Sequence, residues 1–226
     1  MAEIILLLVC EGETDIYIFQ ALSSHFSSPE KMLTVISLAP QLDATSGTYP
    51  SHGFSYVLKW CVANHRTIQM LIDFRGASTL FLQMDTDIAR QVNSGCIDKG
   101  YSARHCCQEK LNEKLGVSEE PNRCHYILPT QNTETWILAS HEQPELDGNL
   151  AIINNYELID DTEKRLIALG CYPSRKGKSN KAGRKLDKKP ATKYKEYGKQ
   201  LTGNLALARQ RCAELDRLCN FLAATI

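Results

Sequence analysis

Two apolar runs that end abruptly in carboxylates constrain the fold of this chain more than any other feature. The first, IILLLVCEGETD, occupies residues 4–15, and the second, TLFLQMDTDIA, occupies residues 79–89. A continuous apolar run of about six residues is typical of a strand that is buried on both faces of a parallel sheet. Acids that follow such strands lie at the carboxyl edge of the sheet, where open α/β folds bind their ligands.

Strand and helix patterns alternate along the following part of the chain. Residues 32–38 and 123–128 read as further strands, and a helix is predicted over residues 102–115. Residues 69–74 could be a strand or the end of a helix. A helix is favoured, because parallel neighbouring strands need a crossover of about a dozen residues. This alternation predicts an α/β fold with a doubly wound, mostly parallel sheet flanked by helices.

The length of 226 residues suits one α/β domain with an extension. We predict a core over residues 1–142, and a basic segment with C-terminal helices, packed on that core, over residues 143–226. An amphipathic pattern predicts that the last helix spans residues 204–222. No apolar run reaches the roughly 18 residues of a membrane span. Glu3 also stands where a signal peptide would be basic, so we expect a cytoplasmic protein with no membrane partner.

The nine cysteines include no CxxC pair and show no regular spacing. This pattern argues against a disulfide framework, and we expect most of the cysteines to be buried as small apolar residues. His105, Cys106 and Cys107, with Cys124 and His125, offer zinc ligands. Their spacing is not that of a common zinc site, so structural zinc is the weaker reading.

Three acids at the ends of the two apolar runs are candidate metal ligands. Asp85 and Asp87 would point to one face, about 7 Å apart, if the strand continued through them. Paired carboxylates repel unless a cation lies between them, and their hard oxygens suit Mg²⁺ or Mn²⁺. Glu11 could bind the same ion or act as a general base. The structural alternative is that Asp87, Glu11 and Asp15 stabilise helix N-termini without any metal.

The positive charges are concentrated near the end of the chain. Residues 175–199 hold 11 Lys or Arg and two acids, which leaves 15 basic and 24 acidic residues elsewhere. A basic strip on an acidic body is typical of a protein that binds a polyanion, although a solvated linker has a similar composition. The predicted nucleic-acid-binding residues are Arg175, Lys176, Lys178, Lys185, Lys188, Lys189 and Lys193.

The acid motifs resemble those of the Toprim domain of topoisomerases, primases and certain nucleases. The resemblance rests on a strand ending in EG at residues 11–12 and a later strand ending in DTD at residues 85–87. The form EGETD is similar to the pattern of overcoming-lysogenization-defect nucleases and of small stand-alone Toprim-like proteins. A segment with proline, TE and tryptophan, found here at residues 129–136, also recurs in them. The resemblance spans roughly residues 1–142.

The resemblance implies a Toprim-like fold and a Mg²⁺- or Mn²⁺-dependent nuclease that hydrolyses phosphodiester bonds in DNA or RNA. The family's topoisomerases use a tyrosine from another domain, which is not visible here, so attack by an activated water is expected. Two metal ions would stabilise the attacking and leaving oxygens. The implied catalytic residues are Glu11, Glu134 and a basic residue, and the implied metal ligands are Glu11, Asp15, Asp85 and Asp87. The motifs do not fix the basic residue: Lys193 is the one selected here, and Lys176, Lys178 and Lys189 are the other candidates.

The resemblance also has implications for partner proteins, and two rival functions stay open. Many relatives are joined to an ATPase of the ABC type or encoded beside one, and this sequence has no GxxxxGK[ST] phosphate loop. The resemblance therefore implies a separate ATPase and a role in bacterial anti-phage defence, and a homodimer is kept open. One rival function is a non-catalytic module that binds nucleic acid or protein through the basic strip. The other is a metal-dependent phosphatase or phosphotransferase acting on a small substrate, which would not need so many positive charges.

Overall fold

A parallel sheet of four strands forms the centre of the molecule, in the spatial order β2-β1-β3-β4. The computed structural model describes residues 2–47, 49–50, 53–142, 155–171, 186 and 192–225. The strands are β1 Ala2–Val9, β2 Lys31–Ala39, β3 Ala77–Gln83 and β4 Cys124–Ile127. All three neighbouring pairs are parallel, so the predicted α/β fold with a parallel sheet is confirmed.

Helices connect the strands and extend the chain beyond them. The connecting helices are α1 Glu13–Phe26, α2 Phe54–Asn64, α3 Ile68–Phe74, α4 Ala89–Val92, α5 Ser94–Asp98 and α6 Ala103–Leu115. After β4 come α7 Glu134–Ala139, a 3-10 turn Tyr156–Leu158, α8 Thr162–Ala168, α9 Thr192–Gly203, α10 Leu205–Arg211 and α11 Ala213–Thr225. The predicted C-terminal helical extension is therefore present. None of the helices in the described parts of the chain is long and apolar enough to cross a membrane.

The side chains of β1 alternate between two apolar cores, one on each face of the sheet. Leu6 and Leu8 pack into a core that includes residues of α1, α7, α9, α10 and α11. Leu7 and Val9 pack into the opposite core, with residues of α2, α3 and α6. All four side chains are fully buried, which explains why the run carries no polar alternation. The chain passes from β1 to β2 on one side and later adds β3 on the other side of β1, so the strand order reverses between β1 and β3.

The end of the basic strip is a helix, which the sequence analysis did not predict. Tyr194, Tyr197 and Leu201 are buried at helical spacing along α9 and pack into the same core as α1. These two tyrosines therefore serve packing, and only the other faces of α9 present charge. Helices on both sides of residue 142 share this core, while the division of the chain at that residue stays a prediction.

The single helix predicted over residues 204–222 is wrong, because the chain forms two helices there. Cys212 separates α10 from α11 and has an extended backbone, with φ −133° and ψ 107°. This break lets Leu205 of α10 and Leu215 of α11 reach the same core although the helices pack against each other.

The cysteines follow the prediction with one exception. Seven of them are buried free thiols. Cys96 and Cys106 form a disulfide that joins α5 to α6, and no sequence pattern indicated this pair. The nine residues between them comprise the end of α5, a loop and the first turn of α6, and only the folded chain brings the two sulfur atoms together.

Candidate active site

Glu11 and Asp85 meet at the carboxyl edge of the sheet, between the two central strands. β1 and β3 are hydrogen-bonded neighbours, with Val9 paired to Leu82 at their ends. The chain continues from both strands to the same edge, where Glu11 Oε1 accepts a hydrogen bond of 2.9 Å from the backbone N–H of Asp85. The strand order reverses at this boundary, and in open α/β sheets such a switch point is where ligands bind.

Gln83 links the two acids, and the sequence analysis missed it. Its side chain is fully buried. Oε1 accepts a hydrogen bond of 3.3 Å from the backbone N–H of Glu11, and Nε2 donates one of 2.9 Å to Asp85 Oδ1. A signal was available, because Gln83 is an uncharged polar residue inside an otherwise apolar run just before the first acid. The amide thus fixes the separation between the two strand ends.

Gly53 brings the loop before α2 against Glu11. The N–H of Gly53 donates a hydrogen bond of 2.8 Å to the backbone oxygen of Glu11. Its φ of 73° lies in the left-handed region, which disfavours residues with a side chain, and a Cβ there would lie 4.0 Å from Glu11 Oε2. The carboxylate of Glu11 is therefore held between this loop and the end of β3, and it is half-buried.

Asp87 does not lie on a continuing strand. β3 ends at Gln83, and the backbone N–H of Thr86 donates to the carbonyl oxygens of Pro129 and Gln131, at 3.2 and 3.0 Å. The N–H of Asp87 also donates to Gln131, at 3.1 Å. These bonds turn the DTD segment toward the loop after β4 and leave Asp87 exposed, so the spacing expected from a strand does not apply.

The negative charges of the acids contribute to raised pKa values of two buried thiols. The pKa of Cys107 is raised to about 12, first by burial and then by the charges of Glu11, Asp87 and Asp85. Burial also raises the pKa of the Cys10 thiol, with further increases from nearby carboxylates that include Glu11 and Asp85. Glu11, Asp85 and Asp87 therefore each act electrostatically on Cys107, which lies on α6 beneath this edge of the sheet.

Asp15 lies in the first turn of α1 and is almost completely buried. Its Oδ2 accepts a hydrogen bond of 3.1 Å from the N–H of Gly12, and its Oδ1 accepts one of 2.8 Å from the hydroxyl of Thr133. These contacts fit the structural alternative of a carboxylate that stabilises a helix N-terminus. A metal would have to share these oxygens with the two donors, and the role of Asp15 as a ligand stays a prediction.

Glu134 is buried at the start of α7, where Tyr194 of α9 donates a hydrogen bond of 2.8 Å to its Oε1. Burial and then the charge of Glu134 raise the pKa of Tyr194, so the hydroxyl keeps its proton. A smaller contribution comes from Asp15, which places Glu134 and Tyr194 near the first turn of α1. Glu134 thus joins α7 to α9 behind the predicted site, and its catalytic role stays a prediction.

The predicted basic residues are only partly within the described chain. Arg175, Lys176, Lys178, Lys185, Lys188 and Lys189 lie outside the described residues. Lys193 is half-buried in the first turn of α9. Burial raises the pKa of the Cys171 thiol, and the positive charge of Lys193 acts in the opposite direction, so Lys193 lies near Cys171. Its role in stabilising a transition state stays a prediction.

The donor chemistry at the sheet edge fits a hard divalent cation, since Glu11, Asp85 and Asp87 supply carboxylate oxygens. Their arrangement does not form a complete binding site in the described residues, where no three carboxylate, imidazole or thiol side chains are grouped to hold a metal ion. The side chains present therefore fit Mg²⁺ or Mn²⁺ by the type of their donor atoms, while a grouped set of three ligands is absent from the described residues.

Comparison of the chain with protein-family models, with curated proteins and with solved structures found no match. The function has to be argued from the side chains that the fold brings together.

Proposed function

We propose that this protein is a divalent-metal-dependent nuclease that hydrolyses phosphodiester bonds at the carboxyl edge of its sheet. The observation that carries the proposal is the contact between the Glu11 carboxylate and the backbone of Asp85 at the switch point of a parallel sheet. A carboxylate from each of two central strands, linked by one buried amide, supports a shared cation site. The separate ATPase, the homodimer and the role in anti-phage defence stay predictions of the Toprim resemblance.

Glu11, Asp85 and Asp87 would hold Mg²⁺ or Mn²⁺. Bound there, the cation would polarise the phosphodiester and stabilise negative charge on the attacking and leaving oxygens. The hydrogen bond from the N–H of Asp85 to Oε1 orients the Glu11 carboxylate, which would bind the cation or act as the general base for an attacking water. Gln83 keeps Asp85 oriented by donating to its Oδ1.

Nucleic acid is the substrate class that the charge distribution favours. An acidic site repels a phosphodiester, so its substrate has to be held by positive charges elsewhere. The chain concentrates 11 Lys or Arg in residues 175–199, and the described end of that strip, on α9, packs against α1, which leads out of the acidic site. A small phosphate ester would not need so many cationic contacts.

One observation favours the rival function of a binding module without catalysis. The described carboxylates do not form a three-ligand cluster, as expected if the site never binds a metal. Calorimetric titration with Mn²⁺ separates the two functions. The nuclease proposal expects saturable binding that is lost in Glu11→Gln, whereas a binding module expects none.

The activity test uses end-labelled single- and double-stranded DNA and RNA, each with Mg²⁺, Mn²⁺ or EDTA. We expect cleavage only with a divalent metal, and a loss of at least about 100-fold in Asp85→Asn or Glu11→Gln, typical of removing a group that stabilises transition-state charge or transfers a proton. The matched controls are Asp98→Asn and Glu119→Gln, which neutralise exposed acids. Cleavage in EDTA, or equal activity of the site and control variants, contradicts the proposal.

A further inference from the structure

A groove of about 330 Å³ runs between α1 and α9, outside the carboxylate site. Residues of α1 form one wall and residues of α9 form the other, including Tyr17, Gln20, His25, Lys195, Lys199 and Thr202. The two helices approach closely because Gly198 faces Ala21. Lys195 lies over the Tyr17 ring and Gly198 faces Ala21, so the helices run in the same direction and the groove follows their length.

The charge of this groove is positive. Lys195 and Lys199 are exposed and four residues apart, so they stand on one face of α9 with their Cβ atoms about 6 Å apart. His25, at the end of the groove near the C-terminus of α1, adds an imidazole that can donate a hydrogen bond to an anion. None of the described residues that line the groove is acidic, and within the described chain neither lysine forms a salt bridge. The described residues that line the groove therefore carry positive charge and no negative charge.

One end of the groove leads to the carboxylate site. The ammonium of Lys195 lies 5.1 Å from the centroid of the Tyr17 ring, a cation–π contact that restrains it. The Tyr17 hydroxyl donates a hydrogen bond of 3.0 Å to Glu13, in the first turn of α1. Glu13 follows Glu11 by two residues, so a ligand that leaves the site along α1 meets Lys195 first and Lys199 one helical turn later.

We propose that this groove binds successive phosphates of a single nucleic-acid strand, one at Lys195 and the next at Lys199, and so positions the strand at the carboxylate site. The inference rests on the proposed nuclease function and names where its substrate is held. An elongated groove suits a strand better than a compact anion, since the wall from Tyr17 to His25 rises about 12 Å along α1. Two lysines one turn apart also match a ligand with regularly spaced phosphates.

The test measures equilibrium binding of a fluorescent oligonucleotide of about 12 nucleotides, a length that single-strand sites cover. Binding is followed by anisotropy in EDTA, with DNA and RNA of the same sequence, so that no cleavage is needed. For Lys195→Gln/Lys199→Gln we expect affinity to fall about 25-fold at about 0.1 M salt, and the log–log salt slope to become about 1.4 less negative, because two single-strand phosphate contacts are lost.

The matched control is Lys59→Gln/Lys99→Gln, which removes the same charge from two exposed positions, one on α2 and one directly after α5, next to the core on the opposite face of the sheet. We expect this control to bind within about twofold of the unaltered protein, since its lysines lie outside the groove. Equal affinities and equal salt slopes for the groove and control variants would overturn the proposal. Tripolyphosphate is the second probe, and a groove variant that loses only this small anion while keeping the oligonucleotide also overturns it.

The outcomes for the groove and for the nuclease can be told apart. If no metal-dependent cleavage is found but the groove variant loses strand binding, the nuclease proposal fails and the groove proposal stands. If cleavage depends on Glu11 and Asp85 but the groove variant binds normally, the nuclease proposal stands and the groove proposal fails.

Discussion

Gly198 of α9 is the position where a single added methyl group should disturb the structure most clearly. A Cβ built there would lie 2.6 Å from the Cβ of Ala21 and 3.5 Å from the backbone oxygen of Tyr17. Carbon atoms in contact are about 3.5–4.0 Å apart, so Gly198→Ala requires α1 and α9 to separate by about 1 Å. Ala21 has no rotatable side chain that could move away, and the helices themselves must shift.

The expected cost follows from two opposing effects. Overpacking of a well-packed contact costs about 1–3 kcal/mol. Replacing glycine inside a helix gains about 0.5–1 kcal/mol, because the unfolded chain loses freedom. We therefore expect Gly198→Ala to lower the free energy of unfolding by about 0–2.5 kcal/mol. Gly203→Ala is the matched control, since Gly203 lies in the same helix and a Cβ there meets nothing within 4 Å.

Urea denaturation followed by circular dichroism measures the difference between the two variants. Gly203→Ala should be unchanged or slightly more stable, so the two should differ by about 1–3 kcal/mol. With a denaturant slope of about 2–3 kcal/mol per molar urea, the midpoint of Gly198→Ala should lie at least about 0.3 M below that of the control. Equal midpoints and equal slopes would refute the close packing of α1 against α9.

Three further substitutions test the contacts behind the site. Tyr194→Phe removes the hydroxyl that donates to buried Glu134 and should cost about 1.5–3 kcal/mol in urea unfolding, and an unchanged midpoint would contradict this. Thr133→Val keeps the volume but removes the donor to Asp15, so a similar loss is expected, and an unchanged urea midpoint would contradict it. Burial raises the pKa of Glu157 above its ordinary value of 4.5. The charged carboxylate is therefore less favourable in the folded protein than in the unfolded chain, and this cost in stability appears as the pH rises from the pKa of the unfolded state through that of the folded state. Glu157→Gln should therefore be the more stable protein at neutral pH, with an advantage that disappears near pH 4.5, and a constant difference in melting temperature across this range would contradict the reasoning.

The sequence alone determined the fold class and the location of the acidic edge. Unbroken apolar runs such as residues 4–9 predict strands buried on both faces, and each core strand and connecting helix predicted for the first 142 residues forms near its expected position. The crossover rule was enough to decide that residues 69–74 are helical, as α3 confirms. These features are local, because the spacing of apolar residues and the length of a connection can both be read from residues that are close together in the sequence.

Contacts between distant segments required the tertiary structure. Gln83 joins Glu11 across 72 residues, and Thr133 reaches Asp15 across 118. The spacing expected for Asp87 failed because hydrogen bonds to the loop after β4 turn the chain away from the strand direction. No pattern of neighbouring residues encodes such pairs, because each depends on which strand ends the crossovers bring together.

The C-terminal part of the chain shows most clearly that contacts between distant segments could not be predicted from the sequence. The basic composition of residues 175–199 indicated a strip for binding phosphates, but the burial of Tyr194 and Tyr197 turned its end into a helix of the core. Charge can be counted along a sequence, whereas the direction that each charge faces depends on the helix that anchors it. The groove beside Lys195 and Lys199 exists only because α9 packs on α1, a helix more than 160 residues earlier in the chain.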